Sequence, residues 1–307
     1  MVDKTNKKKT ELKPLDELFH QASEYKKSRN FRELIDFMAK FPNIAPYNVM
    51  LMHVQKPYCK YVASAFDWRE KFGRTIKPGA RPLIILKPFR PVDFLFDLSD
   101  TDGDDELLPD DISVKLNKVK GKINSFDYRM LIDNLPNDGI RYQERALAST
   151  LGGFITINDN GYTQYSRNYE LKFFFDMIVS FNSTIEEKFS IIVHELGHLY
   201  CGHLGNFDGA NWPNRLKETD LYSEEKSHAL CEFEAECTSW LVCERMNLHN
   251  SAAGYLSTYL DENDEIPPIS FETIIKSVDR IESMIKKTKS PIKELIVKQN
   301  NKLYLKY

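Results

Sequence analysis

The chain has 307 residues, 42% of them hydrophobic and 28% charged, with a formal net charge of −3. That length suits one large domain or, more readily, two modest ones, and the composition excludes a largely disordered chain. The charge averages over local surfaces and says little about partners. No stretch approaches the roughly 18 uninterrupted apolar residues of a membrane helix, and the opening MVDKTNKKKT lacks the apolar run of a signal peptide, so a cytoplasmic location is expected.

In chain order, residues 4–13 carry a lysine cluster, read as a solvated terminus or a local basic surface. Over residues 15–52 apolar side chains recur at helical spacing, interrupted near 28–30 and by Pro42 and Pro46, which predicts three helices. A short strand at 61–63, a helical turn around Trp68, a tight turn through Gly73, Pro78 and Gly79, and a buried strand at 82–86 follow. Residues 97–111 hold eight aspartates and glutamates with Gly103 and Pro109, the composition of an acidic linker. A calcium loop is the weaker reading there, since the glutamate needed at its twelfth position is missing. The expected domains are 1–110, 111–262 and a helical extension, 263–307.

Beyond the linker, residues 112–135 read as helical and 153–158 as a strand, with Asp159, Asn160 and Gly161 forming a turn that closes a hairpin with 162–165. An apolar and aromatic run at 173–181 follows, and 178–182 is expected to offer a strand edge to a peptide. Residues 271–287, with Ile274, Ile275, Val278, Ile281 and Ile285, predict an amphipathic helix packed on its own domain. Five cysteines (Cys59, Cys201, Cys231, Cys237, Cys243) make no CxxC pair and read as reduced, buried thiols.

The strongest chemical signal is His194-Glu195-Leu-Gly-His198, an H-E-x-x-H motif in a helix-compatible run opened by a Thr184/Glu187 capping box. Histidines four apart project from one helical face, so both imidazoles can reach one zinc ion. Glu195, offset by about 100° on the helix, can contact a water in the open coordination position and serve as general base. A catalytic zinc needs a third protein ligand, and residues 223–247 form one long helix carrying Glu232, Glu234 and Glu236. Glu232 and Glu236 share a face, which suggests Glu232 as the ligand and Glu236 as an acceptor behind a ligating histidine. Glu234, on the opposite side, is expected to be a solvated charge. His228, one turn before Glu232, is a candidate oxyanion donor or a structural histidine. His203 is expected to serve the end of its helix.

The region 189–247, with HELGH followed by EFEAE, resembles the ImmA/IrrE-like and ArdC-like zincin metallopeptidases, in which an E-x-x-A-E helix supplies the third ligand; the resemblance supports Glu232. The N-terminal part is similar to the single-stranded-DNA-binding domain of ArdC-type antirestriction proteins through Tyr47-Asn48, Gln55-Lys56-Pro57, Phe66-Asp67-Trp68, GRTIKPG at 73–79, residues 84–88, Val92 and FDLSDT at 96–101. It implies an α+β chain, with a nucleic-acid-binding-type domain ahead of a zincin domain. Trp68, Lys71, Arg74 and Lys77 would stack bases and follow phosphates, or Trp68 and Phe72 would fill a core. The favoured function is a zinc metallopeptidase cutting a specific intracellular protein, in phage or plasmid conflict or stress regulation. The alternative is an antirestriction protein whose activity is DNA binding and whose zincin domain is a scaffold.

Overall fold

The computed structural model describes residues 27–87, 90–104, 121–147, 152–166, 168–216, 224–248, 256 and 259–299. The lysine cluster, the first of the three N-terminal helices, residues 105–111 of the acidic stretch and the start of the helix expected from 112 lie outside them.

The architecture is mixed α+β. Helices α1 (Ser28–Ala39) and α2 (Pro46–Gln55) form where the periodicity places them. Pro46 starts α2, where a missing N–H costs nothing. A short strand β1 (Val62–Ala63) precedes α3 (Ala65–Phe72), which is capped by the Ser64 side chain and ended by Gly73 at φ 60°. Strand β2 (Thr75–Ile76) follows, and β3 (Leu83–Lys87) and β4 (Arg90–Asp97) form an antiparallel pair in a sheet of order β1-β4-β3. Strand β5 (Thr101–Asp102) pairs with β2.

The outer edge of β3 is closed by side-chain amides rather than by another strand. Asn48 donates to Leu86 O and accepts from Leu86 N, each at 2.9 Å, while Gln55 donates to Ile84 O at 2.8 Å and accepts from Ile84 N at 2.9 Å. Two turns apart on α2, these two amides imitate a neighbouring strand and blunt an edge that could otherwise pair with another chain.

The start of the acidic stretch is structural and not a linker. Asp97 is buried and accepts hydrogen bonds from the backbone N–H groups of Lys60, Tyr61 and Ser99, and Asp100 pairs with Lys56 at 2.8 Å. Burial pushes the Asp97 carboxyl up, but the bonds it accepts from Ser99, Lys60 and Tyr61 outweigh this and hold it below its ordinary range.

The larger sheet follows α4 (Ser125–Asn134) and has the order β6 (Ile140–Arg145), β8 (Tyr169–Ser180), β7 (Gly153–Ser166), with β9 (Ile296–Gln299) also on β8. Two expectations change here. No hairpin turn forms at Asp159-Asn160-Gly161, because β7 runs through these residues and absorbs them as a register shift between Ile157 and Tyr162 while pairing with β8. The stretch expected as an edge is central, since residues 175–180 pair with β6 on one side and β7 on the other. Among the described residues the outer strands are β7 on one side of β8 and β6 and β9 on the other.

Helix α5 (Ile185–Tyr200) opens with the expected reciprocal Thr184/Glu187 capping box and lies against β7 and β8. It crosses α6 (Glu224–Arg245), and α7 (Phe271–Lys286) packs on both. The crossing is close because position 197 has no side chain: a Cβ there would lie 3.0 Å from Ala235 Cα and 3.1 Å from Ala235 O.

A single buried cluster runs from Phe31 to Ile285, so all three expected segments contribute to it. Arg245, at the end of α6, fastens them together. Its guanidinium pairs with Glu282 of α7 and donates to the carbonyls of Met38, Phe41 and Ile44, at 3.0, 2.9 and 2.9 Å. Met38 lies in the last turn of α1, and Phe41 and Ile44 in the connection to α2, so the arginine ties the end of α1 and that connection to α6 and α7.

Gly197→Ala tests the crossing. Alanine adds about 1 kcal/mol of helix propensity, while overpacking costs roughly 1–3 kcal/mol, so the melting temperature is expected to fall only slightly. The forced shift of α6 displaces Glu232 from the histidines of α5, and zinc affinity measured by chelator competition is expected to fall well beyond the change in stability.

Candidate metal centre

Helical periodicity puts His194 and His198 one turn apart on α5, and their Nε2 atoms lie 3.1 Å from each other. Glu232 reaches over from α6, with one carboxylate oxygen 3.6 Å from His194 Nε2 and the other 3.4 Å from His198 Nε2. A tetrahedral ion with ligands at about 2.0–2.1 Å would separate its donor atoms by about 3.3 Å. The three spacings are those of a set ready to close on one small cation, and two imidazoles with one carboxylate form the donor set of a catalytic zinc. Zinc therefore fits His194, His198 and Glu232.

Glu195 lies on the same turn and accepts a hydrogen bond from Ile155 N of β7 at 3.1 Å. Burial pushes its carboxyl up to about 7, against the lowering effects of His194 and the Ile155 N–H. A carboxyl poised there can take and return a proton near neutrality. Glu232 is held below its ordinary range, chiefly by the His198 ring beside it, against the raising effect of burial. Glu236 faces His194 Nδ1 at 3.6 Å, on the side of the ring away from Glu232. His228 is 79% exposed and 3.6 Å from Glu232.

Two residues expected to be peripheral are buried behind the site. Glu234 is not a solvated charge: its side chain has 0% exposure, and it accepts from His203 Nε2 at 2.9 Å, Arg215 Nη1 at 2.5 Å and Ser270 N at 2.7 Å. The helical offset that keeps Glu234 off the ligand face turns it into the core, where Arg215 makes its ionisation tolerable. His203 does more than end a helix, because its Nδ1 lies 3.1 Å from His198 Nδ1. Gly202, at φ 85°, makes this possible: any Cβ there would come within 2.4 Å of Pro213 O, so only glycine can turn the chain back beneath α5.

Cys201 stands near His203 and Glu234, but this group does not suit a cation. Burial pushes the Cys201 thiol up to about 12, its sulfur is shared with Thr238 and Ser277, and Arg215 already occupies Glu234. All five cysteines are free.

The nucleic-acid candidates are not gathered into one surface. Trp68 is fully buried, with its indole N–H on Phe96 O at 2.8 Å, and therefore fills a core with Phe72 rather than offering a stacking face. Arg74 is buried as well, bonded to Thr101 and Gly103 across the β2/β5 pair. Lys71 pairs with Asp67 at 2.7 Å, and Lys77 donates to Ser99 O at 2.9 Å.

No family model matches the chain, and no curated protein matches it. Among solved structures it is similar to the metal-free crystal structure of antirestriction ArdC protein from the R388 plasmid, at 14% identity and a TM-score of 0.31, over 78% of this chain and 81% of that one. So distant a likeness carries no functional argument. No helix among the described residues is long and apolar enough to cross a membrane.

The buried carboxylate gives a pH prediction. Burial raises Glu234, but the hydrogen bond from His203 and the charge of Arg215 overcome it and hold the group below its ordinary 4.5. A depressed folded-state value adds stability that is complete above 4.5 and lost as the pH falls through and below it. Denaturation midpoints of the metal-free protein should therefore drop with acid below that pH, and the drop should be shallower in Glu234→Gln.

Proposed function

We propose that the chain is a zinc-dependent peptidase acting on an intracellular protein. The observation that carries this reading is the convergence of His194 Nε2, His198 Nε2 and Glu232 on one point with Glu195 beside them. Zinc held there would supply positive charge to acidify a bound water and polarise a carbonyl. Glu195 is placed to act as the general base and acid of such a hydrolysis: its carboxylate would accept a proton from the attacking water and give it to the leaving amine, and its raised proton affinity suits both transfers.

An extended peptide is the substrate that the surroundings favour. Ile155 gives its N–H to Glu195, so at this register β7 turns backbone groups toward the site and away from β8. By strand alternation Gly153 and Ile157 present their backbones in the same direction, and a peptide laid along them would pass Glu195 in extended form.

Expected outcomes are separable. His194→Ala loses stoichiometric zinc. Glu195→Gln retains zinc while peptide cleavage falls by roughly 10²–10⁴, and in cells one or more proteins accumulate relative to wild type. If no protein accumulates and the variant keeps its biological activity, the peptidase reading fails.

A second reading, single-stranded-DNA binding of the antirestriction type with the metal fold as scaffold, is favoured by a different observation. Tyr58, Phe66 and Phe94 are exposed, and Arg69 sits 5.9 Å from the Phe66 ring centroid. Salt-sensitive binding of single strands, weakened by Phe66→Ala and Arg69→Ala and kept in Glu195→Gln, would support it.

A further inference from the structure

We infer that Glu234 and His203 are positioning residues that set the tautomer of His198, so that its Nε2 presents a lone pair to the ion. This rests on the metal reading of His194, His198 and Glu232. It concerns side chains that cannot touch the ion.

The chain of bonds runs through the core. An ionised carboxylate only accepts, so the 2.9 Å contact between Glu234 and His203 Nε2 puts a proton on that nitrogen. Glu234 is ionised because Arg215 lies on the same oxygen and Ser270 N–H occupies the other. With its proton on Nε2, His203 offers an accepting Nδ1, and the group it meets there among the described residues is His198 Nδ1, at 3.1 Å. His198 must then carry its proton on Nδ1. Its Nε2, 3.1 Å from His194 Nε2 and 3.4 Å from Glu232, is left as the metal-binding atom.

The opposite arrangement defeats the site. If His203 held its proton on Nδ1, or on both nitrogens, His198 Nδ1 would have to accept and its proton would sit on Nε2, pointing at His194 and Glu232. Outer hydrogen bonds of this kind fix ligand tautomers, and losing one typically weakens metal affinity 10–100-fold. The relay is held from several sides: Gly202 forces the return of the chain, Arg215 N bonds to Gly202 O at 3.0 Å, and Ser270 caps the first turn of α7.

The test has two readouts. In the metal-free wild type, long-range ¹H–¹⁵N correlations should show His203 protonated at Nε2 and His198 at Nδ1. In chelator competition, His203→Leu should bind zinc about 10–100-fold more weakly, while His203→Gln, whose amide can both accept from His198 and donate to Glu234, should recover much of the loss. A metal-free His198 protonated at Nε2, or a His203→Leu chain with unchanged zinc affinity, overturns the relay. If His203→Leu does not fold, the wild-type tautomers and His203→Gln decide the matter. A wild-type chain that binds no zinc removes the metal reading, whereas zinc binding that is indifferent to His203 removes the relay alone.

Discussion

The close crossing of α5 and α6 at Gly197 and Ala235 is the constraint on which the site depends. Two helices can approach this nearly only where one of them has no Cβ, and the glycine inside HELGH provides that gap. Once the crossing is set, the screw of α6 assigns each glutamate its place. Glu232, three residues before the crossing, reaches the Nε2 atoms, and Glu236, one residue after it, faces His194 Nδ1. Glu234, turned to the other side, becomes the buried anchor of His203. One backbone contact thereby turns three neighbouring carboxylates into three different devices.

The surrounding core fixes these helices with buried charge as well as apolar packing. At the end of α5, Tyr200 donates to Asp138 at 2.7 Å, and Arg280 of α7 binds Asp138 while lying over the rings of Tyr200 and Trp212 at 4.8 and 5.0 Å. At the end of α6, Arg245 joins Glu282 to carbonyls at the end of α1 and in its connection to α2. Such pairs repay their desolvation only when well hydrogen-bonded; all three guanidinium nitrogens of each arginine have a partner, and these directional bonds hold helix ends in a way that apolar contacts do not. The three candidate metal ligands, by contrast, stay partly open to solvent.

The N-terminal part shows how one motif can be read two ways. Trp68, Arg74 and Lys77 are expected from the sequence to belong to a basic and aromatic binding surface, and Asn48 and Gln55 belong to the motifs that carry the N-terminal resemblance. In the fold each is spent on the protein itself: two amides seal the edge of β3, an indole fills a core, and the cations bond to strand and turn carbonyls. The apolar residues left facing solvent in this part include Tyr58, Phe66, Ile84, Leu86, Val92 and Phe94.

Local physics made several features legible in the sequence by itself: the α5 cap at Thr184 and Glu187, the shared face of His194 and His198, the offset of Glu195 and the pairing of Glu232 with Glu236 all follow from helical geometry within a few residues. The path of β7 past Gly161 and the central position of β8 were not legible, because strand neighbours are chosen by distant segments and a turn signal yields to a long ladder. Nor were the roles of Glu234 and His203. They are separated by 31 residues, and whether a charge is solvated or buried depends on what packs against it. Only the tertiary structure could bring Arg215 and Ser270 to that carboxylate, since the stability of a buried ion is decided by its surroundings and not by its place in the chain.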